Sequence, residues 1–289
     1  RSSRKWRGAA SILALAVAVL APCVAGADER ARAPIGIWIS VEEIRRLPMR
    51  GPAWENVLLA AQGPLHTPDL SDQNDPTNVT VMAKALVHVR TGVPWCRDEV
   101  VLACRLAIGT EARGRTLALG RELAAYVIAA DLVVLPDSVD VPFRAWLRSC
   151  LSRPLEGRSL RSTHEDRPNN WGTHAGCSRA AIAVYLRDRA ELERTACVFR
   201  GWLGDRSAYS GFEYQSLAWQ SDPARPVGVN PKGAARGGRC LDGVLADDQR
   251  RCGGFSWPPP RENYVYEALQ GALGQAVILS RAGYDPWNW

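Results

Sequence analysis

The sequence predicts an all-α protein: an α/α toroid, an incomplete barrel of helical hairpins, with one long irregular loop region. Apolar residues recur at three-to-four spacing in successive segments, and several of these close on glycine. Helix pairs recur at roughly 40-residue intervals, the rhythm of folds in which each hairpin buries one face on its neighbour. No alternating strand series and no sustained heptads compete with this reading.

The elements follow in order. Residues 53–62, 77–90 and 97–108 carry the helical period and stop at Gly63, Gly92 and Gly109. Residues 116–135 form a longer apolar helix stopped by Pro136, and 141–151 follow with Pro142 in the first turn, where its missing N–H costs little. Residues 172–186 and 190–203 make a hairpin across Arg187-Asp188-Arg189, and 264–282 form the last helix, closed by Gly283. Between them, the 59 residues 204–262 hold nine Gly and six Pro and little helical period. Segments this long inside a compact domain are commonly lids or binding loops. Phe212, Tyr214, Trp219, Phe255 and Trp257 give this one enough aromatic surface to stack on sugar rings, or to pack on itself.

The chain has 289 residues, 46% hydrophobic and 23% charged, an ordinary globular composition that excludes disordered, collagen-like and coiled-coil classes. The formal charge of +6 is concentrated at the start, where Arg1, Arg4, Lys5 and Arg7 precede any acid. The rest is nearly balanced and has no basic run, so no nucleic-acid partner is expected. The basic start, the short apolar run 9–21 and Ala25-Gly26-Ala27 read as a signal peptide over residues 1–27. Cleavage after Ala27 predicts a mature domain over 28–289, periplasmic or secreted, monomeric, with no membrane contact once the leader is gone. The missing initiator Met and the end at Trp287-Asn288-Trp289 read as incomplete termini, with truncation expected at the C-terminus. An unpartnered last helix should then expose an apolar patch. Seven cysteines follow the leader; Cys240 and Cys252, close together in a Gly-rich stretch, are the expected disulfide of an exported protein. Cys104, Cys150, Cys177 and Cys197 read as plain thiols among apolar helical residues.

Chemistry concentrates in residues 164–176, which hold two of the four histidines. Pro168 discourages helix before it, and Asn169 or Asn170 can cap a helix beginning at Trp171. Asn170 and His174 are four apart and can share one face of the first turn. An amide that binds a carboxylate and an imidazole that moves protons can together acidify a carbon beside a carboxyl group. A capping Asn beside a hydrogen-bonded core His explains the same spacing. In a second window, Trp257-Pro258-Pro259-Pro260 is a stiff segment that delivers Arg261, Tyr264 and Tyr266 to the last helix. The two tyrosines lie about 200° apart around a helix, so at most one shares the site.

The runs HEDRPNNWGTHAG, GWLGDR, DDQRR, WPPPRENYVYEALQGAL and AGYDPWNW resemble bacterial alginate lyase-family proteins from about Ser40 onward. The resemblance implies a helical toroid, export, and β-elimination on an anionic, uronate-containing polysaccharide (alginate, polymannuronate or a related polyuronate) with no metal or organic cofactor. Carried over by position, it makes Asn170 the carboxylate neutraliser, His174 the base or its support, and Tyr266 or Tyr264 the proton donor. Arg261 is the expected catalytic arginine, with Arg250 and Arg251 as rivals. His164, Arg167, Asn169 and Trp171 are expected to touch substrate, with Arg250, Trp219 and Trp257 from the loop. The best-known mannuronate lyases place His directly after the Asn pair, whereas Trp171-Gly172-Thr173 intervene here. Two other classes fit the sequence. A glycoside hydrolase on the same scaffold needs two carboxylates, of which Glu165 or Asp166 would be one. A non-catalytic periplasmic polysaccharide-binding protein needs only the aromatic loop. A serine hydrolase is poorly supported, because Gly176-Cys177-Ser178-Arg179-Ala180 lies inside a helix with no strand before it.

Overall fold

The computed structural model describes residues 33–289, so the expected leader lies outside the described residues. The described chain is mostly helical, with two two-residue strands. The helices are α1 (Val41–Arg46), α2 (Pro52–Gln62), α3 (Thr77–Thr91), α4 (Pro94–Ala107), α5 (Thr116–Val133) and α6 (Asp137–Ser152). After them come α7 (Leu160–Asp166), α8 (Asn170–Leu186), α9 (Arg189–Trp202), α10 (Ala246–Gln249) and α11 (Asn263–Arg281). No described helix is long and apolar enough to cross a membrane.

Local chemistry sets the boundaries. Pro168 forces Arg167 into an extended conformation (φ −101°, ψ 113°), so α7 ends at Asp166. The Asn169 side chain then accepts the Trp171 N–H and starts α8. Helix α6 begins four residues earlier than its period suggests, so Pro142 lies inside it rather than in its first turn.

The core is organised around α5, which is buried on nearly every side. It packs on α3 and α8, and α8 packs in turn on α11. These contacts bring backbone against backbone. A Cβ on Gly120 of α5 would lie 2.9 Å from the Ala175 nitrogen, and one on Gly271 of α11 would lie 2.6 Å from the His174 nitrogen. The second turn of α8 is thus gripped between two glycines. Ser178 ties the same crossing together: its Oγ donates to Gly120 O and accepts from Ala124 N, a structural role that removes it as a nucleophile. Residues 35–37 are pinned to α5 as well, because Asp131 accepts the N–H groups of Ile35, Gly36 and Ile37.

The excursion 204–262 is less irregular than its composition implies. Strands β1 (Ala235–Arg236) and β2 (Arg239–Cys240) pair antiparallel, and α10 follows. Trp219, Ala234, Leu241 and Ala246 form a small core of their own, with Phe255 packed on Trp219. Trp219 is therefore not the substrate-stacking surface expected of it; it is buried, and its Nε1 donates to Gly253 O. The expected Cys240–Cys252 disulfide is also absent. Both are free thiols: Cys240 is exposed on β2, while Cys252 Sγ faces the Arg261 carbonyl and the Glu262 carboxylate at 3.3–3.4 Å. On one face of α11, Tyr266, Leu269 and Leu273 are exposed, as single apolar residues are on other helices, Leu59 and Val141 among them.

The glycine contacts give a signed expectation. Gly271→Ala gains about 1 kcal/mol of helix propensity but overpacks backbone at a cost of roughly 1–3 kcal/mol. Denaturant unfolding should therefore show net destabilisation of up to about 2 kcal/mol at unchanged slope. Gly254→Ala, with open space around it, should leave the midpoint where it is.

Candidate active site

The start of α8 is held by a hydrogen-bonded cluster drawn from three parts of the chain. Asn170 is fully buried, and each of its polar faces is engaged. Its backbone N–H donates to Asp248 Oδ1 at 3.0 Å, its Nδ2 donates to Glu267 Oε2 at 3.1 Å, and its Oδ1 accepts from Arg251 at 3.3 Å. Arg251 also lies 3.8 Å over the Tyr264 ring, a cation–π contact that brings this tyrosine to the cluster. Arg121 of α5 completes it, with its guanidinium 3.7 Å from Glu267 Oε2.

Of the two tyrosines, Tyr264 faces the site, on the side of α11 that also carries Glu267 and Gly271 three and seven residues later. Tyr266 is 73% exposed on the outer face. Arg261 is exposed and meets its neighbours through its carbonyl, which accepts from Cys252. Arg250 is turned inward, its Nε donating to Asp247 at 3.0 Å. Arg251 is the rival arginine that reaches Asn170.

His174, one turn on from Asn170, is buried, and its Nε2 has no hydrogen-bond partner. Burial, with a smaller push from the positive charge of Arg121, lowers its pKa to about 4. It is a neutral imidazole above that pH. Asp248 moves the other way: burial raises its carboxyl to about 7, the neighbouring Asp247 charge adds to the rise, and its Oδ2 has no partner. Asp247 by contrast accepts from Arg250, Asn169 and the Gln215 N–H. Of the two adjacent acids, one is ion-paired and the other gives up its proton only near neutral pH. On α5, burial raises Glu122 to about 8.

Several residues expected to touch substrate serve the fold instead. Asn169 is buried as the cap of α8, with its Nδ2 on Asp247. His164 is buried with both ring nitrogens taken. Its Nδ1 faces Arg179, which can only donate, so the ring proton sits on Nε2, 3.2 Å from the Gln275 amide. An amide turned with its oxygen to the ring gives that otherwise orphaned atom its donor. Burial and two nearby guanidinium groups hold His164 well below its ordinary pKa. Glu165 and Asp166, the sequence's candidates for a hydrolase carboxylate, are ion-paired with Arg179 and Arg194 and with Arg158 respectively. Arg167 and Trp171 are half-buried, and Arg167 lines a small internal cavity with Phe199, Trp202 and Phe212. Trp257 does offer an aromatic face: it is 44% exposed, with Arg239 5.7 Å over the ring.

Among the described residues, no cluster of three or more His, Cys, Asp or Glu could hold a metal ion. No protein-family model matches the chain, and no curated protein matches it. The residues that sequence reasoning missed are Arg121, Asp248 and Glu267. The available signal was the charged pair Arg121-Glu122 inside an otherwise apolar helix, and the Asp247-Asp248 pair just after an apolar run.

The opposed shifts make stability depend on pH in opposite directions. Asp248 binds its proton more tightly when folded, so its contribution falls as pH rises from about 4 to about 7 and stays low above. His174 binds its proton less tightly when folded, so its contribution rises with pH between about 4 and about 6.5. Asp248→Asn keeps an oxygen for the Asn170 N–H and removes the first slope. Its advantage over the unmodified protein should grow from near zero at pH 4 to on the order of 1–3 kcal/mol at pH 8, read by denaturant unfolding across pH.

Proposed function

We propose that the protein is a polysaccharide lyase that cleaves a uronate-containing polymer by β-elimination, on a helical scaffold arranged as an α/α toroid. The observation that carries this reading is the arrangement at the start of α8. The Asn170 amide is held between Arg251 and Glu267, Tyr264 lies against Arg251, and a neutral His174 stands one turn away. The likeness of residues 164–176 and 257–273 to alginate lyase motifs supports it as well.

The chemistry follows from charge. The C5 proton of a uronate becomes acidic only when the neighbouring carboxylate charge is masked. Hydrogen bonds from the Asn170 amide and an arginine stabilise the enolate-like intermediate as the proton leaves. His174 Nε2, neutral and free of a partner, accepts the C5 proton or supports its transfer. The C4–O bond then breaks, its electron pair goes to the leaving oxygen, and the Tyr264 hydroxyl protonates that oxygen. The product carries a C4–C5 double bond conjugated to the carboxylate. Of the arginines expected from sequence, Arg251 is the one that reaches the site, where it holds the Asn170 amide and lies against Tyr264, and the exposed Trp257 face offers a stacking surface for a neighbouring sugar. Export to the periplasm or beyond fits a polymer substrate.

A second reading has one observation in its favour. Asp248, which holds its proton up to about pH 7, and Glu267 flank Asn170 as two carboxyl groups, the equipment of a glycoside hydrolase. Ultraviolet absorbance of the product separates the two, since only elimination leaves an alkene. With polymannuronate, polyguluronate and glucuronan as substrates, at least one should give an absorbing product. Asn170→Ala should lower the rate about 100- to 1,000-fold. His174→Ala and Tyr264→Phe should each cost at least about 100-fold, whereas Tyr266→Phe should keep wild-type turnover. Shortened chains without absorbance would replace the lyase with the hydrolase.

A further inference from the structure

We infer that Glu267 is a built-in occupant of the substrate-carboxylate receptor, and that Arg121 is the receptor's second arm. This rests on the reading of Asn170 as a carboxylate-binding amide and goes beyond it. The receptor's two donors converge on one atom: Glu267 Oε2 receives the Asn170 Nδ2 hydrogen bond at 3.1 Å and faces the Arg121 guanidinium at 3.7 Å. A carboxylate oxygen held by one amide and one guanidinium is the ligation a uronate carboxylate would need to lose its charge at C5. In the unliganded protein that ligation is made by the protein's own acid.

Exposure tells which partner is fixed and which can leave. Asn170 is fully buried and pinned through its backbone to Asp248 and through its Oδ1 to Arg251. Glu267 and Arg121 are about one-third exposed, at 33% and 29%. Glu267 thus separates a rigid buried amide from solvent, on a side chain with rotamers open to it. Ion pairs this exposed contribute little, so an incoming carboxylate can replace Glu267 at small cost. Once Glu267 swings out, the vacated position offers the amide N–H of Asn170 and the charge of Arg121 to the ligand. A neutral sugar gains nothing from that exchange, because it brings no carboxylate to take up the Asn170 hydrogen bond and the Arg121 charge together. The contact therefore selects acidic residues along a polymer as well as occluding the site between turnovers.

The test is affinity measured apart from turnover. In a Tyr264→Phe background, mannuronate, guluronate and glucuronate tetrasaccharides are titrated calorimetrically, each beside its methyl-esterified form. Glu267→Ala should tighten binding of at least one acidic oligomer about five- to tenfold, with no gain for the ester. Adding Arg121→Ala should abolish that gain. Glu267→Gln, which keeps an oxygen for Asn170 and gives up the ion pair, should show a smaller gain and serves if the alanine variant does not fold. Unchanged or weaker binding of folded Glu267 variants would overturn the inference, as would acidic oligomers binding no variant. The failures are separable. Tighter binding by Glu267→Ala together with chain cutting that leaves no alkene would keep the receptor and reject the lyase. Alkene formation together with weaker binding by Glu267→Ala would do the reverse.

Discussion

The close crossing of α5, α8 and α11 is the constraint on which the rest depends. With Gly120 and Gly271 on either side, the backbone of residues 173–175 lies nearer to its neighbours than any side chain would permit. That approach fixes the rotation of α8. The rotation decides that Ser178 meets the α5 backbone, that His174 is buried beside Arg121, and that Asn170 faces Glu267 on α11. Packing at this distance has no slack, because protein interiors deform in steps rather than continuously. A site whose groups come from α5, α8 and α11 is positioned by their backbones, not by the compliance of long side chains.

Charge is distributed around that crossing in two ways. On the α7–α9 side, acids are matched by guanidinium groups: Arg179 joins Glu191 to Glu165, with Arg161 and Arg194 forking onto the outer faces. Burial alone would raise the pKa of Glu165 and Glu191, and the guanidinium groups reverse this and hold both below the usual value. On the α10–α11 side the matching is incomplete by one group, Asp248. Networks that break when one partner is lost cost about 3–5 kcal/mol, so the matched side behaves as frame. The unmatched side keeps a proton that can be given up near neutrality.

Much of this was legible from sequence, and the failures have physical causes. The helical period placed α2, α3, α5, α8, α9 and α11 to within two residues at each end, because each buries a broad apolar face. The Asn169 cap and the break at Pro168 were readable because they act between neighbours in the chain. Helix α7 was missed: seven residues give too few turns for a period to show. Trp219 was misread because an aromatic in a glycine-rich segment looks solvent-facing until the segment is seen to enclose it. Glu267 lies 97 residues from Asn170 in sequence, and no local pattern reports a contact at that separation. The resemblance pointed to Arg261 and to Tyr266 or Tyr264, but the turn of α11 sends Tyr266 outward and leaves Arg251 to make the contact.

The excursion with its own small core gives the molecule two levels of cohesion. The helical frame and the Trp219 cluster are separate hydrophobic units, joined by a third in which Leu245, Phe212 and Val229 of the excursion pack on α9 and α11, so the excursion opens on its own only where that seam parts while the α5 core stays closed. Asp247, Asp248 and Arg251 all belong to the excursion, yet their partners belong to α8. Opening would therefore take the Asp247 partner from the Asn169 cap, and the proton store and the guanidinium from the first turn of α8, in one event. The first turn of α8 could come apart at a temperature where the helices are still intact, so circular dichroism would overstate the range over which the proposed site persists.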